Sequence, residues 1–164
     1  MRCHLFFGIK LLATGALLAW CQSTVASPAE WPVSPSRLVL SSSYGTLRVK
    51  TTDYIYESHL LLDGKEVQPN MVGLLNIPYA FALPGKLSAL ISVNTGSSLC
   101  PVQYRWVTLY KGGYNVSKPF GSCSSQIRVS AIGRRFELAT PSNVTPNKVD
   151  VYVYDGRNIK QRVR

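Results

Sequence analysis

Turn-forming residues recur roughly every 8–12 positions along this chain, and between them no apolar period of 3.6 residues is sustained. Segments that short cannot build a helical core. They suit antiparallel strands joined by tight turns, so the chain is expected to be all-β, an antiparallel sandwich or small barrel with an extended N-terminal arm. The strongest turns are Asp63-Gly64, Lys111-Gly112-Gly113 and Asp155-Gly156. They are spaced by about 45 residues, within the range of repeated four-stranded sheets. A strand, a turn and a return strand is also what any antiparallel meander supplies, so no repeat is assigned.

Leu38-Val39-Leu40 and the run from Thr46 to Thr51 open the strand region. In the second run Leu47 and Val49 alternate with Arg48 and Lys50, the pattern of a half-buried strand with a basic outer face. Tyr54 to Leu62 then enters the Asp63-Gly64 turn. Leu87 to Val93 is almost continuously apolar and reads as a buried strand. From Val102 to Tyr110 alternation returns, with Val102, Tyr104 and Trp106 on one face and Gln103 and Arg105 on the other. Tyr114 to Phe120 is its return strand. Gln126 to Ile132, Phe136 to Thr140 and Val149 to Tyr154 complete the set, with Gly133-Arg134-Arg135 as a basic turn. Residues 69–86 resist assignment. Pro69, Pro78 and Pro84 interrupt short apolar runs that suit edge strands, a lid over the core or a partner-binding loop.

Residues 1–26 read as a secretory signal peptide. Arg2 and Lys10 give the positive flank, Leu11 to Ala19 is apolar, and Thr24-Val25-Ala26 forms a small-x-small cleavage site. The apolar stretch falls short of the roughly 20 residues a membrane span needs, so no stable membrane span is expected. Cys21 would make this a lipoprotein signal, but Trp20 is bulky where such signals carry a small residue. Residues 27–36, with three prolines and three serines, form the arm, which Trp31 would pin to the body. Residues 37–164 form a single β domain. The expected address is periplasmic or secreted. There the remaining cysteines, Cys100 and Cys123, are by default a disulfide at the open end of the 102–120 hairpin.

Chemistry is sparse. Beyond the leader only one histidine remains, His59, and no G-x-S-x-G elbow accompanies it. The chain has 8 acidic residues, and Asp63 and Asp155 are better explained by their turns than by glycosidase chemistry. No zincin helix, Ca²⁺ loop, P-loop or dinucleotide fingerprint occurs. The chain is therefore not expected to be an enzyme, and no cofactor or metal is expected. Lys and Arg number 18, for a net charge of +10, which favours an acidic partner. Tyr104-Arg105-Trp106 and Tyr110-Lys111 could stack nucleic acid, but an exported address argues for strand aromatics in the core and no nucleic-acid partner.

A further pattern is carried by Asn94-Thr95-Gly96, Ser98, Cys100-Pro101, Tyr104-Arg105, Phe120-Gly121 and Cys123-Ser124. It resembles a pattern in small exported proteobacterial proteins of poorly defined function, departing from it at Ser97 and Ser125. The resemblance implies a periplasmic β-domain with a Cys100–Cys123 bridge. Together these features suggest an inhibitor or immunity protein against a toxin or cell-wall hydrolase, itself an acidic protein. Tyr110, Lys111, Tyr114, Lys118, Phe120, Arg134 and Arg135 are the candidate contacts, because aromatic and cationic side chains anchor interfaces. The alternative is an accessory envelope protein that docks on a secretion apparatus or an anionic cell-wall polymer.

Overall fold

Residues 30–52 and 55–164 are described by a computed structural model; the signal peptide expected over residues 1–26 lies outside them. The described residues form twelve strands and no helix. The first sheet contains β1 (Val39–Ser42), β2 (Gly45–Thr52), β3 (Ile55–Leu62) and β4 (Lys65–Glu66). The second contains β5 (Leu74–Leu83), β6 (Lys86–Asn94), β7 (Val102–Tyr110) and β8 (Gly113–Val116). The third contains β9 (Arg128–Ile132), β10 (Arg135–Pro141), β11 (Val149–Tyr154) and β12 (Ile159–Val163). Each sheet is an antiparallel meander whose strands pair in chain order. The three pack as an open sandwich and do not close into a barrel. The three strong turns are each the last hairpin of their own sheet, β3–β4, β7–β8 and β11–β12. Their regular spacing is the length of a four-stranded meander.

The second sheet lies between the other two, and its inner strands explain why. Along β6, Leu87, Ala89, Ile91 and Val93 pack with Leu47, Val49 and Leu60 of the first sheet. Leu90, on the opposite face, packs with Phe136, Leu138, Tyr152 and Tyr154 of the third. Strand β7 divides likewise, Val107 and Leu109 one way and Tyr104 and Trp106 the other. A strand covered on both faces gains nothing from alternation, and hence the continuous apolar run of β6. The alternation of Gln103 and Arg105 therefore marks only the outer end of β7, not a solvated face along it. Ser88 and Thr108, both fully buried, satisfy each other at 2.9 Å.

Residues 69–86 resolve the open alternatives in favour of an edge. Strand β5 pairs with β6 from Leu74 to Leu83, and the register shifts between Asn76 and Tyr79, where Pro78 sits. A proline on an edge strand at a bulge costs no ladder bond. Gly73 permits the approach to β5: its φ is +135°, and a Cβ there would lie 2.1 Å from the Asn94 carbonyl oxygen. The arm and Arg37, which follows it, are held at three points. Arg37 donates its N–H to Asn76 Oδ1 (2.9 Å), its carbonyl accepts from Ile77 (3.1 Å), and the Arg128 guanidinium stacks 5.5 Å over Trp31. Cys100 and Cys123 form the disulfide, joining the entry to β7 with the segment beyond the Tyr104–Phe120 bridge. The return strand expected from Tyr114 to Phe120 is shorter: β8 ends at Val116, and Phe120 pairs alone.

The aromatic second core makes stability sensitive to alkali. Burial pushes the hydroxyls of Tyr104, Tyr152 and Tyr154 above the ordinary tyrosine range, with smaller contributions from Tyr79, Asp150 and Asp155 respectively. Folding thus favours the neutral phenols. Their contribution is complete below the unfolded value of about 10 and is lost as pH rises from there through the raised folded values. The urea midpoint is expected to hold to about pH 9 and to fall above about pH 10, less steeply in Tyr154→Phe. A midpoint unchanged through about pH 11 would contradict this packing.

Candidate protein-binding surface

Alternating strand direction sends the first and third hairpins of each meander to one end and the second hairpin to the other. Shared clefts join Tyr44 and Asp63 to Lys111, and Gly85 to Gly156, so the turns at residues 43–44, 63–64, 84–85, 111–112, 133–134 and 155–158 emerge at a common end. Asp63 links two of them, its carboxylate accepting the Thr46 N–H at 2.8 Å. At this end three clefts adjoin. The largest, about 620 Å³, lies between Tyr44 and Asp63 on one side and Tyr110 and Lys111 on the other. A second, about 400 Å³, is lined by Lys86, Tyr110, Asn115 and Arg157. A third, about 500 Å³, opens between the Ser117–Gly121 segment and the start of β12, and Arg157 lines it too. Tyr110 and Arg157 are each shared by two clefts, so the three form one trough.

The third cleft owes its shape to the short β8. Ser117 still donates its N–H to the Trp106 carbonyl (2.8 Å); the chain then turns along Lys118-Pro119 and meets β7 again at Phe120, whose backbone exchanges hydrogen bonds with Tyr104 (2.8 and 3.0 Å). Gly121, at φ +122°, lets it pass the Tyr104 ring, which a Cβ would approach to 2.9 Å. The floor is aromatic: Phe120 lies 5.4 Å from Tyr152. Lys118, Arg157, Asn158 and Gln161 surround it. Asp150, one step inward from Tyr152 on the same face of β11, is buried with no hydrogen-bond partner for either carboxylate oxygen. Burial and this charge hold Tyr152 neutral.

The trough is cationic by number: Lys86, Lys111, Lys118 and Arg157 line it, against the carboxylates of Asp63 and Asp155 at the same end. The Asp155 carboxylate accepts the backbone N–H groups of Asn158 (2.7 Å) and Arg157 (2.9 Å), which lower its pKa. Lys86, Lys111, Lys118 and Arg157 form no ion pair among the described residues; the pairs present are His59–Glu66, Arg162–Glu137 and Arg164–Glu137. Concave, part-apolar clefts with a few placed charges are where partners insert side chains.

The structure groups the candidate contacts unevenly. Tyr110 and Lys111 lie in the first cleft, and Lys118 and Phe120 in the third. Tyr114 is half-buried against the first core and its hydroxyl accepts the Gln68 N–H at 2.9 Å, so it supports the scaffold. Arg134 is exposed in the β9–β10 turn and Arg135 is exposed at the start of β10, at the same end but outside the trough. The candidate contacts did not include Tyr44, Lys86, Tyr152, Arg157, Asn158 and Gln161, which also line the trough. Lys86 and Arg157 each follow a turn glycine, Gly85 and Gly156, and that shared placement was the available signal. His59 is exposed and pairs with Glu66 at 2.7 Å. Among the described residues no group of three or more His, Cys, Asp or Glu side chains is placed to hold a metal ion, and no helix is long and apolar enough to cross a membrane. No protein-family model, curated protein or solved structure matches the chain.

Proposed function

We propose that this chain is an exported binding protein rather than a catalyst. It acts as an inhibitor or immunity protein that docks an acidic toxin or cell-wall hydrolase in the trough at its hairpin end. One observation carries the reading: three adjoining clefts with aromatic walls and four cations, Lys86, Lys111, Lys118 and Arg157, that form no ion pair among the described residues. Such a surface steers and orients an acidic partner, and its aromatic floor supplies the desolvated centre that gives affinity. The disulfide and the resemblance of residues 94–125 to small exported proteins support an oxidising address. The accessory-envelope reading draws on a different surface, the outward face of the third sheet, where Arg128, Arg135, Lys160, Arg162 and Arg164 surround one acid, Glu137.

Capture from envelope and secreted fractions tests the proposal, comparing wild type with Lys118→Glu/Arg157→Glu. Both positions are exposed, so the variant is expected to melt like wild type. It is expected to lose one stoichiometric acidic protein that wild type retains, with at least about 100-fold weaker binding. Equal capture by both proteins contradicts the assignment.

A further inference from the structure

We infer that β12 is a docking edge for an extended, acidic segment of a partner protein, added as a further antiparallel or parallel strand. This rests on the acidic-protein reading above and specifies how part of that partner is held.

The hydrogen-bond register fixes which backbone groups are available. Val149 and Arg164 exchange both backbone hydrogen bonds, at 3.0 and 2.9 Å. In an antiparallel pair such positions alternate with unbonded ones. With the unbroken register of β11 and β12, Lys160 and Arg162 therefore face β11, and Ile159, Gln161 and Val163 turn their N–H and C=O groups outward. Among the described residues no strand takes up that edge.

The other edges are less suited. β4 has two residues, and β1 and β8 have four each. Arg37 covers β5 at Ile77, and Trp31 lies against Arg128 at the start of β9. β12 has five residues, no proline and no bulge, and it borders the cleft floored by Phe120 and Tyr152.

Alternation then specifies the occupant. Ile159, Gln161 and Val163 share the inward face with Tyr152 and Tyr154, whereas Lys160, Arg162 and Arg164 point outward. An added strand would lay alternate side chains over the cleft, beside Lys118 and Pro119, and the others beside the three cations. Apolar residues suit the first set and carboxylates the second. Cations on an edge strand guard against unwanted pairing. Here the same charges bar a second copy of this chain, which would set Lys160, Arg162 and Arg164 against themselves, and admit an acidic strand.

The test uses the full disulfide-bonded chain and an eight-residue peptide of alternating glutamate and valine, with a block peptide of the same composition as control. The alternating peptide is expected to slow amide exchange at Ile159, Gln161 and Val163, and to bind at least about tenfold more tightly than the block peptide. Gln161→Pro removes one outward N–H and leaves the β11 ladder intact, so it should fold and lose the peptide. Lys160→Glu, which removes no ion pair found in the fold, should weaken the peptide at least about tenfold while leaving the exchange pattern of the free protein unchanged. Equal binding of both peptides, equal binding by Gln161→Pro, or no protection at about 1 mM peptide overturns strand addition. Failure here with a partner still captured through Lys118 and Arg157 leaves the trough reading standing. Absence of any captured acidic protein removes that reading instead.

Discussion

Replacing Trp106 by alanine is expected to remove about 3–5 kcal/mol of folding stability, as for other fully buried large aromatics. Trp106 is 0% exposed and sits where the second and third sheets meet. Its ring stacks 4.9 Å from Phe136 and 5.6 Å from Tyr154, and lies 6.2 Å from Phe81. No neighbour can fill the space without leaving its own contacts, because three rings rest on one. A domain stable by roughly 5–15 kcal/mol would lose much of its margin. Urea denaturation reads the effect, and Trp106→Phe should recover a good part of it. A loss under about 1 kcal/mol would mean that the third sheet does not pack on the second as described.

Breaking the Cys100–Cys123 bridge should have the next largest effect, about 3 kcal/mol, from the loop entropy regained by the unfolded chain. The two cysteines are separated by 23 positions. The bridge also ties the entry of β7 to the end of the Ser117–Gly121 segment, the wall of the cleft beside β12. Loss of the bridge should therefore weaken partner binding more than an equal destabilisation placed in the first sheet. Thermal melts with and without reductant check the stability effect, with Cys100→Ser/Cys123→Ser as the control that reductant leaves unchanged. Equal melting of reduced and oxidised protein would contradict it.

Much of the architecture was legible because strand burial writes itself into local pattern. Leu47 and Val49 against Arg48 and Lys50 specify a half-buried strand, and the run Leu87 to Val93 specifies a buried one. The three strong turns mark the ends of the three meanders. The pattern could not show that one sheet is covered on both faces, because that depends on which sheets face each other. It also left the stretch around Pro78 open between an edge strand, a lid and a loop. Proline lowers a strand reading, but the bulge of β5 absorbs it at an edge. The site was less legible. Lys118 and Phe120 belong to the cleft, but the residues opposite them, Tyr152, Arg157 and Gln161, lie over thirty positions away. The cleft also depends on where β8 ends, and a tertiary pairing decides that. Arg134 and Arg135 read as equals of Lys118 from composition. Sheet order places them at the β9–β10 hairpin, away from the trough.

The most direct test of the central claim is a salt series on affinity capture, using the disulfide-bonded protein against native envelope and secreted fractions. A packed interface with cations around an aromatic floor keeps its partner when ionic strength is raised, because its centre is desolvated. The expected result is one acidic protein, held at a fixed stoichiometry at both low and high salt. Capture of anionic polymer, or of many proteins, all released at high salt, would contradict the inhibitor assignment and move the site to the basic outward face of the third sheet.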